Sequence, residues 1–171
     1  MRRSHPETVL KLVGSLPGEQ IIALRAGEID IAIINESGEL LAGEFYMREL
    51  AEVGTYVVLP EQHRVASRDG VRLSDLQGEF FISGDSQKVP GLDRQVEAYC
   101  KKYGKFRPKF KGSAQTLAHA FELVANENAV HIFPAYAIHH SPPGVIMLPS
   151  RTQRLLGRFW SYGGEAGPVV L

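Results

Sequence analysis

Short apolar runs and helical patterns alternate along the chain from one end to the other. Residues 29–34 are almost continuously apolar, which is typical of a parallel strand buried on both faces. Leu117, Ala120, Phe121 and Val124 instead recur at the spacing of one helix face. The pattern predicts strands at 9–13, 29–34, 45–50, 55–59, 80–82, 129–133, 145–148 and 155–162. Strands that alternate with helices of about ten residues predict an α/β fold with largely parallel pairing, in one sheet or in two.

The ends of the first predicted helix carry the expected residue types. Ser15 is a suitable N-cap, Pro17 suits the first turn, and Glu19 is favoured near the positive end of the helix dipole. Gly27 stands where a left-handed residue closes a helix. These signals predict a helix over about residues 15–26.

Two later helices are predicted in the same way. One opens at Pro90-Gly91, and Gly104 can terminate it. The other has Ser113 as its expected N-cap, and Asn126 can end it. Pro134 begins a further short helix after the strand at 129–133.

Composition and charge narrow the class of protein. The chain has 171 residues with 19 basic and 19 acidic side chains, so its formal net charge is zero. Nucleic-acid binders usually carry a basic excess, and we therefore interpret the basic stretch 101–111 as a helix end followed by an exposed strand edge. No run is long and apolar enough to span a bilayer, and no secretory signal follows Met1. With Cys100 as the only cysteine, we expect a cytoplasmic protein without membrane contact.

A search for catalytic and metal-binding patterns gives a negative result. The chain lacks a Gly-x-Ser-x-Gly elbow, a His-Glu-x-x-His pair and a phosphate-binding Gly-Lys-Ser/Thr loop. Its six histidines are not spaced as two ligands on one helix face. Cys100 lies on an apolar helix stripe, which favours a buried thiol over a nucleophile. We therefore expect no enzyme activity, no metal and no cofactor.

Several segments resemble, in order, those of the effector-binding domain of LysR-type transcriptional regulators. Pro6 with residues 9–12 is similar to the "P-x-V-x-L-x-L" strand, and residues 24–33 are similar to "L-x-x-G-x-L-D-x-A-I". Residues 57–66 resemble "V-x-P-x-x-H-P-L-A", with Arg64 in place of the usual proline. The stretches 71–76 and 80–82 match "V-x-L-x-D-L … P-F-I", and 124–134 matches "V-x-A-G-x-G-V-x-x-L-P" without its glycines.

The resemblance covers most of the chain but not the whole of such a regulator. The winged helix-turn-helix, the linker helix and the first strand–helix unit of the effector domain have no counterpart here. We interpret the chain as a fragment, a truncated gene product, or a relative that has lost DNA binding. Asn residues near the turn at 126–128 replace the missing glycines, and Asn tolerates left-handed dihedral angles better than most residues.

The resemblance implies a two-lobed fold like that of the type 2 periplasmic binding proteins. Residues 1–53 with 146–171 would form lobe I, and residues 54–145 would form lobe II. A small, anionic organic effector would bind between the lobes, where loops present backbone N–H groups and helix N-termini. Matched to the family's pattern, the residues expected near the ligand are Gly14, Ser15, Asn35, Ser83, Ser113, Gln115, Thr116, Phe133 and Pro134. A role as helix cap or turn residue is an equal alternative for each of them.

Three functions from different classes are compatible with the sequence. The first is a ligand-sensing regulatory domain that shifts its lobes and passes the change to partner subunits. The second is a dimerisation or protein-interaction module that has no ligand. The third, an enzyme on a binding-protein scaffold, has no support from the motif search. Unpaired sheet edges favour self-association, and direct nucleic-acid contact by this chain is not expected.

Overall fold

The computed structural model describes residues 9–34, 41, 43–152 and 158–163. The helices are α1 (Pro17–Arg25), α2 (Leu92–Tyr99) and α3 (Leu117–Glu127). The strands are β1 (Ile31–Ile34), β2 (Tyr46–Glu52), β3 (Thr55–Pro60), β4 (Phe80–Gly84), β5 (Lys109–Ala114), β6 (His131–Pro134), β7 (Val145–Pro149) and β8 (Arg158–Gly163). Short 3-10 helices lie at Leu73–Leu76 and Ala135–His140, and a π-turn at Cys100–Gly104 extends α2.

Helix α1 forms where the sequence predicts it, although its N-cap is different. Leu16 is the N-cap residue, and the Glu19 carboxylate accepts the hydrogen bond of the Leu16 N–H at 3.1 Å. Ser15 is therefore not the cap, because a side chain inside the helix satisfies this end. At the other end Gly27 has φ +69°, and the Glu28 N–H bonds the Ala23 carbonyl at 2.9 Å. This left-handed closure is the one predicted for Gly27.

The first sheet has the order β1–β8–β2, and both of its strand pairs are antiparallel. The predicted parallel pairing of residues 29–34 is therefore wrong. Ala32 and Ile34 are buried while Ile33 is exposed, so only one face of β1 meets the core. Residues 9–13 form no strand and are exposed, which contradicts the strand prediction there. A strand needs a partner for its N–H and C=O groups, and among the described residues this segment has none.

The second group of strands places β3 between β6 and β7, antiparallel to both. Strands β4 and β5 pair in parallel, and a parallel bridge joins Phe81 of β4 to Val130, the residue just before β6. Parallel pairing thus occurs between strands that are connected through a helix. Strand β3, which follows β2 directly in the chain, is antiparallel to both of its neighbours. Residues 145–149, at the predicted lobe boundary, pair with β3 as β7.

Helices cover both faces of this second group of strands. Val57 and Val58 are adjacent in β3 and point to opposite faces, as strand geometry requires. Val57 packs with Phe81 and the α2 side of the core, and Val58 packs with Phe121 and the α3 side. Helices on two faces of a central sheet confirm the α/β class.

The ends of the later helices differ from their predicted positions by a few residues. Thr116, not Ser113, is the N-cap of α3, since β5 continues to Ala114. Asn128, not Asn126, closes that helix in the left-handed region with φ 49°. After the π-turn Cys100–Gly104, Lys105 closes the helix in the left-handed region with φ 62°, and Gly104 does not take the predicted closing position.

Candidate functional site

The carboxyl ends of β4 and β5 lie side by side and define the candidate site. Gly84 is paired with Ala114, and the Asp85 N–H donates to the Ala114 carbonyl at 2.8 Å. Three of the predicted ligand residues lie here: Ser83 is the penultimate residue of β4, and Gln115 and Thr116 directly follow β5. In open α/β folds ligands bind beyond the carboxyl ends of parallel strands.

A tight turn at residues 85–88 projects from this strand edge. The Asp85 carboxylate accepts hydrogen bonds from the N–H groups of Gln87 at 2.9 Å and Lys88 at 3.1 Å. The Asp85 carbonyl accepts the N–H of Val89 at 2.8 Å. One aspartate thus orders the whole turn, which we call the Asp85 turn.

The Asp85 turn meets the first turn of α1. The Gly18 N–H donates to the Lys88 carbonyl at 2.9 Å. A Cβ atom on Gly18 would stand 1.9 Å from the Gln87 carbonyl oxygen, so only glycine permits this contact between backbones. The contact joins an element packed on the first sheet to a loop of the second group of strands.

A charge pair reinforces the same junction. Lys88 Nζ lies 2.7 Å from Glu19 Oε1, and both side chains are partly exposed. The hydrogen bond from Lys88, followed by that from the Leu16 N–H, lowers the pKa of the Glu19 carboxyl. The hydrogen bond to Glu19 in turn raises the pKa of Lys88. Because the Glu19 carboxylate already occupies the Leu16 N–H, that amide is not available to an anion.

Ser83 is held at the end of β4 by Asp93 of α2. Its hydroxyl donates to Asp93 Oδ2, and Asp93 Oδ1 accepts the Gly84 N–H at 2.9 Å. Ser83 is partly buried, whereas Gln115 and Thr116 are exposed. Thr116 Oγ1 accepts the His119 N–H at 3.2 Å, so this hydroxyl serves as the cap of α3.

The other predicted residues in the described ranges lie before α1, in β5 and in β6. Gly14 and Ser15 are exposed just before α1, and Ser113 is exposed in β5. Phe133 is partly buried between the rings of Phe121 at 5.5 Å and His131 at 4.4 Å, which assigns most of its surface to the core. Pro134 is buried opposite Thr55, where the chain enters β3. Asn35 lies outside the described residues.

Asp85, Lys88 and Asp93 contact this region but were not predicted as site residues. Asp85 follows a strand in the stretch Gly84-Asp85-Ser86, a composition typical of a turn, and this signal could have found it. Asp93 occupies the first turn of a helix, where an acidic residue has an ordinary dipole role. Lys88 has no distinguishing local signal.

Groups suited to catalysis or to metal binding are not assembled in the described part of the chain. No cluster of three His, Cys, Asp or Glu side chains there could hold a metal ion. Cys100 is buried in the core, and burial raises the pKa of its thiol to about 12. His131 is fully buried, its Nδ1 lies 2.8 Å from the Ile82 carbonyl, and burial lowers the pKa of the imidazole to about 4. Both side chains act as core residues.

The basic stretch at 101–111 is partly neutralised by neighbouring acids. Lys101 Nζ lies 2.9 Å from Glu97 Oε1, and Arg107 Nε lies 3.5 Å from the same oxygen. Lys111 Nζ lies 3.6 Å from Glu127 Oε2. The stretch is thus the end of the α2 helix and its π-turn followed by β5, as the sequence indicates.

None of the described helices is long and apolar enough to cross a membrane.

Two α/β units with a polar junction between them define the class of two-lobed binding domains. Comparison with known families agrees: residues 1–162 match the family described as "LysR substrate binding domain". The chain therefore belongs to the LysR substrate-binding domain family, which confirms the resemblance seen in the sequence. Domains of this family are regulatory, so the chain is not classed with enzymes.

Individual relatives are similar at low identity. The Hca operon transcriptional activator HcaR of Escherichia coli (strain K12) is 24% identical over 148 residues, which are 86% of this chain and 49% of that protein. The chain thus spans about half the length of this curated relative. The effector binding domain of QuiR in complex with shikimate has a TM-score of 0.76 at 17% identity, covering 98% of this chain and 77% of that one. The BenM effector binding domain with benzoate has a TM-score of 0.75 at 19% identity, covering 97% and 74%.

Proposed function

We propose that the chain is the effector-sensing domain of a LysR-type transcriptional regulator and binds a small, anionic organic ligand between two lobes. Lobe I would comprise residues 1–53 and the C-terminal stretch, and lobe II residues 54–145 extended to Pro149 by the pairing of β7. The observation that supports the proposal is the contact between the first turn of α1 and the Asp85 turn. This contact lies beyond the strand ends where binding proteins of this class hold ligands.

The same contact supplies a way to transmit binding. A ligand changes a conformational equilibrium only through a difference in affinity for the two states. The Gly18–Lys88 hydrogen bond and the Glu19–Lys88 ion pair would form when the lobes close and break when the lobes open. A ligand that bridges the lobes next to this junction would therefore favour the closed arrangement and alter the surface offered to partner subunits.

Charge at the junction supports an acidic ligand. Lys88 is held at the first turn of α1 by its ion pair with Glu19, and both side chains are partly exposed. An acid group of the ligand can share Lys88 from the cleft side without entering a dry core. Arg25, the basic residue in the last turn of α1, is already paired with Glu44 at 2.7 Å.

A thermal-shift screen against small carboxylates, amino acids and aromatic acids tests the proposal. At a ligand concentration of about 100 times Kd, mass action stabilises the folded state by about 2.7 kcal/mol. For a chain of this size the Tm should rise by roughly 5–10 °C, saturably. Benzamide, a neutral isostere of benzoate, serves as the control for the acid group. The absence of a saturable shift with every acid would contradict the proposal.

The second candidate function, a ligand-free interaction module, is favoured by several exposed apolar side chains. Apolar side chains of lobe I are widely exposed: Val9 at 93%, Leu12 at 85%, Ile22 at 66% and Tyr46 at 63%. Large apolar side chains exposed to this extent are candidates for contact with a second copy of the chain. We therefore propose homo-oligomerisation in either case. Light scattering of the wild type and of Ile22→Glu tests it, and a wild-type monomer would contradict it.

A cytoplasmic location and the absence of direct nucleic-acid contact by this chain complete the proposal. The balanced charge and the ion pairs within 101–111 support the latter. A mobility-shift assay at physiological salt should show no specific complex. A nanomolar complex would contradict this part of the proposal.

A further inference from the structure

Ser83 and Asp93 form a hydrogen-bonded pair at the carboxyl end of β4, and the donor and acceptor roles within it are fixed. The Ser83 hydroxyl contacts Asp93 Oδ2 and also lies 3.4 Å from the Gly84 carbonyl oxygen. Carboxylate and carbonyl oxygens only accept hydrogen bonds. The hydroxyl is therefore the donor in both contacts, and its single proton is used within the protein.

Packing holds this pair together. Asp93 Oδ1 also accepts the Gly84 N–H at 2.9 Å, so both carboxylate oxygens bind the end of β4. A Cβ atom on Gly84 would lie 2.7 Å from Val89 Cγ2 and 2.8 Å from Leu92 Cδ2. The packing keeps Gly84 in place beside α2, and the hydrogen bond to Asp93 engages the Ser83 hydroxyl proton.

Asp93 forms no ion pair within the described part of the chain. His131, whose Nδ1 is 2.8 Å from the Ile82 carbonyl, is fully buried and neutral at physiological pH, since burial lowers the pKa of its imidazole. In the described ranges no lysine, arginine or histidine pairs with Asp93. An acid group placed at Ser83 would face a nearby negative charge and would find no hydroxyl proton to accept.

We infer that Asp93 makes Ser83 an acceptor subsite, which selects effectors that carry a hydroxyl or amino group at this end of the molecule. The inference rests on the proposed function and specifies its ligand. The acid group of the effector lies elsewhere in the cleft, and a donor group meets Ser83. The ligand class is thus a hydroxylated or amino-substituted carboxylic acid, as opposed to an acid with a purely apolar body.

Calorimetric titration with two pairs of acids tests this inference on the whole chain. The pairs are benzoate with 3,4-dihydroxybenzoate, and cyclohexanecarboxylate with shikimate. One hydrogen bond in a protected site corresponds to about tenfold in affinity. The wild type should bind the hydroxylated acid of a pair about tenfold more tightly. Ser83→Ala should remove this preference by weakening the hydroxylated acid alone.

Asp93→Asn separates the role of the charge from that of the shape. The amide keeps an oxygen for the Gly84 N–H but removes the negative charge and frees the Ser83 proton. We expect the plain acid to bind more tightly and the ratio within the pair to fall to about one. Ser74→Ala and Asp69→Asn change the same residue types at exposed positions of lobe II and should keep the wild-type ratio.

The outcomes distinguish the inference from the function on which it rests. Equal affinity for both members of a pair in the wild type, or an unchanged ratio in both Ser83→Ala and Asp93→Asn, would overturn the inference and leave the proposed function standing. Failure of the wild type to bind any of the four acids overturns the inference as well. It overturns the proposed function only if the remaining acids of the screen also fail.

Discussion

The predicted effect of Gly18→Ala on stability depends on whether α1 contacts the Asp85 turn. Without the contact alanine stabilises the protein, and with the contact it destabilises it. In an isolated helix, alanine is favoured over glycine by about 0.5–1 kcal/mol. In the structure the new Cβ would stand 1.9 Å from the Gln87 carbonyl oxygen. Reaching an ordinary contact requires a displacement of about 1.5 Å, which breaks the 2.9 Å hydrogen bond from Gly18 to Lys88.

The balance of these effects is destabilising. Loss of the backbone hydrogen bond costs about 1 kcal/mol, and overpacking costs about 1–3 kcal/mol. After the gain in helix propensity, Gly18→Ala should lower the free energy of unfolding by about 1–3 kcal/mol. Urea denaturation measures this value, and hydrogen exchange at residues 85–89 should accelerate. Gly54→Ala is the matched control, because its Cβ would meet Tyr56 at an ordinary 3.5 Å. A Gly18→Ala protein as stable as the wild type, with unchanged exchange, would refute the reasoning.

Three further predictions concern α3 and β6. Thr116→Val removes the side-chain cap of α3 and should cost about 1 kcal/mol in urea denaturation, whereas Thr116→Ser should retain most of the stability. Asn128 is left-handed, so Asn128→Gly should equal or exceed the wild type in stability and Asn128→Ala should lose about 1 kcal/mol; the reverse order would contradict the assignment. The pKa of His131 is lowered from 6.5 to about 4, so the unfolded chain binds more protons between these values. Stability should therefore fall by about 3 kcal/mol as the pH drops from 6.5 to 4, and His131→Gln should lack that part of the slope.

Local signals predicted the helices well and their terminal residues less well. Pro17 and Gly27 mark the limits of α1 because backbone preference alone selects them. Ser15 and Ser113 fail as caps for a different reason, which is that another partner takes over. Glu19 satisfies the Leu16 amide, and the pairing of Gly84 with Ala114 lengthens β5 past Ser113. Such competition between partners is not visible in a propensity.

Strand prediction depends on partners and was correspondingly weaker. Residues 9–13 have the apolar pattern of a strand, yet they lack a neighbour among the described residues and stay exposed. Residues 29–34 have the pattern of a parallel strand buried on both faces, but β1 pairs antiparallel with β8 and buries one face. A sequence pattern reports how apolar a segment is. It does not report what the segment will pair with.

The chemistry of the site was the least predictable part, because it depends on contacts between distant residues. Glu19 and Lys88 are separated by 69 positions in the chain, and nothing local distinguishes Lys88. From the sequence, Asp93 is an ordinary acidic residue in the first turn of a helix. Only the structure shows that its two carboxylate oxygens accept hydrogen bonds from Ser83 and Gly84.

The family match does not identify the ligand, because ligand choice also depends on contacts between individual side chains. Domains that share this fold at 17% and 19% identity were solved with shikimate and with benzoate, acids that differ in whether they carry hydroxyl groups. An architecture common to both cannot decide between them, since it fixes where the strand ends meet but not which protons point into the cleft. We propose that in this chain the choice depends on one carboxylate. Asp93 accepts the hydrogen bond of the Ser83 hydroxyl, which would leave the Ser83 oxygen to act as an acceptor toward the proposed ligand.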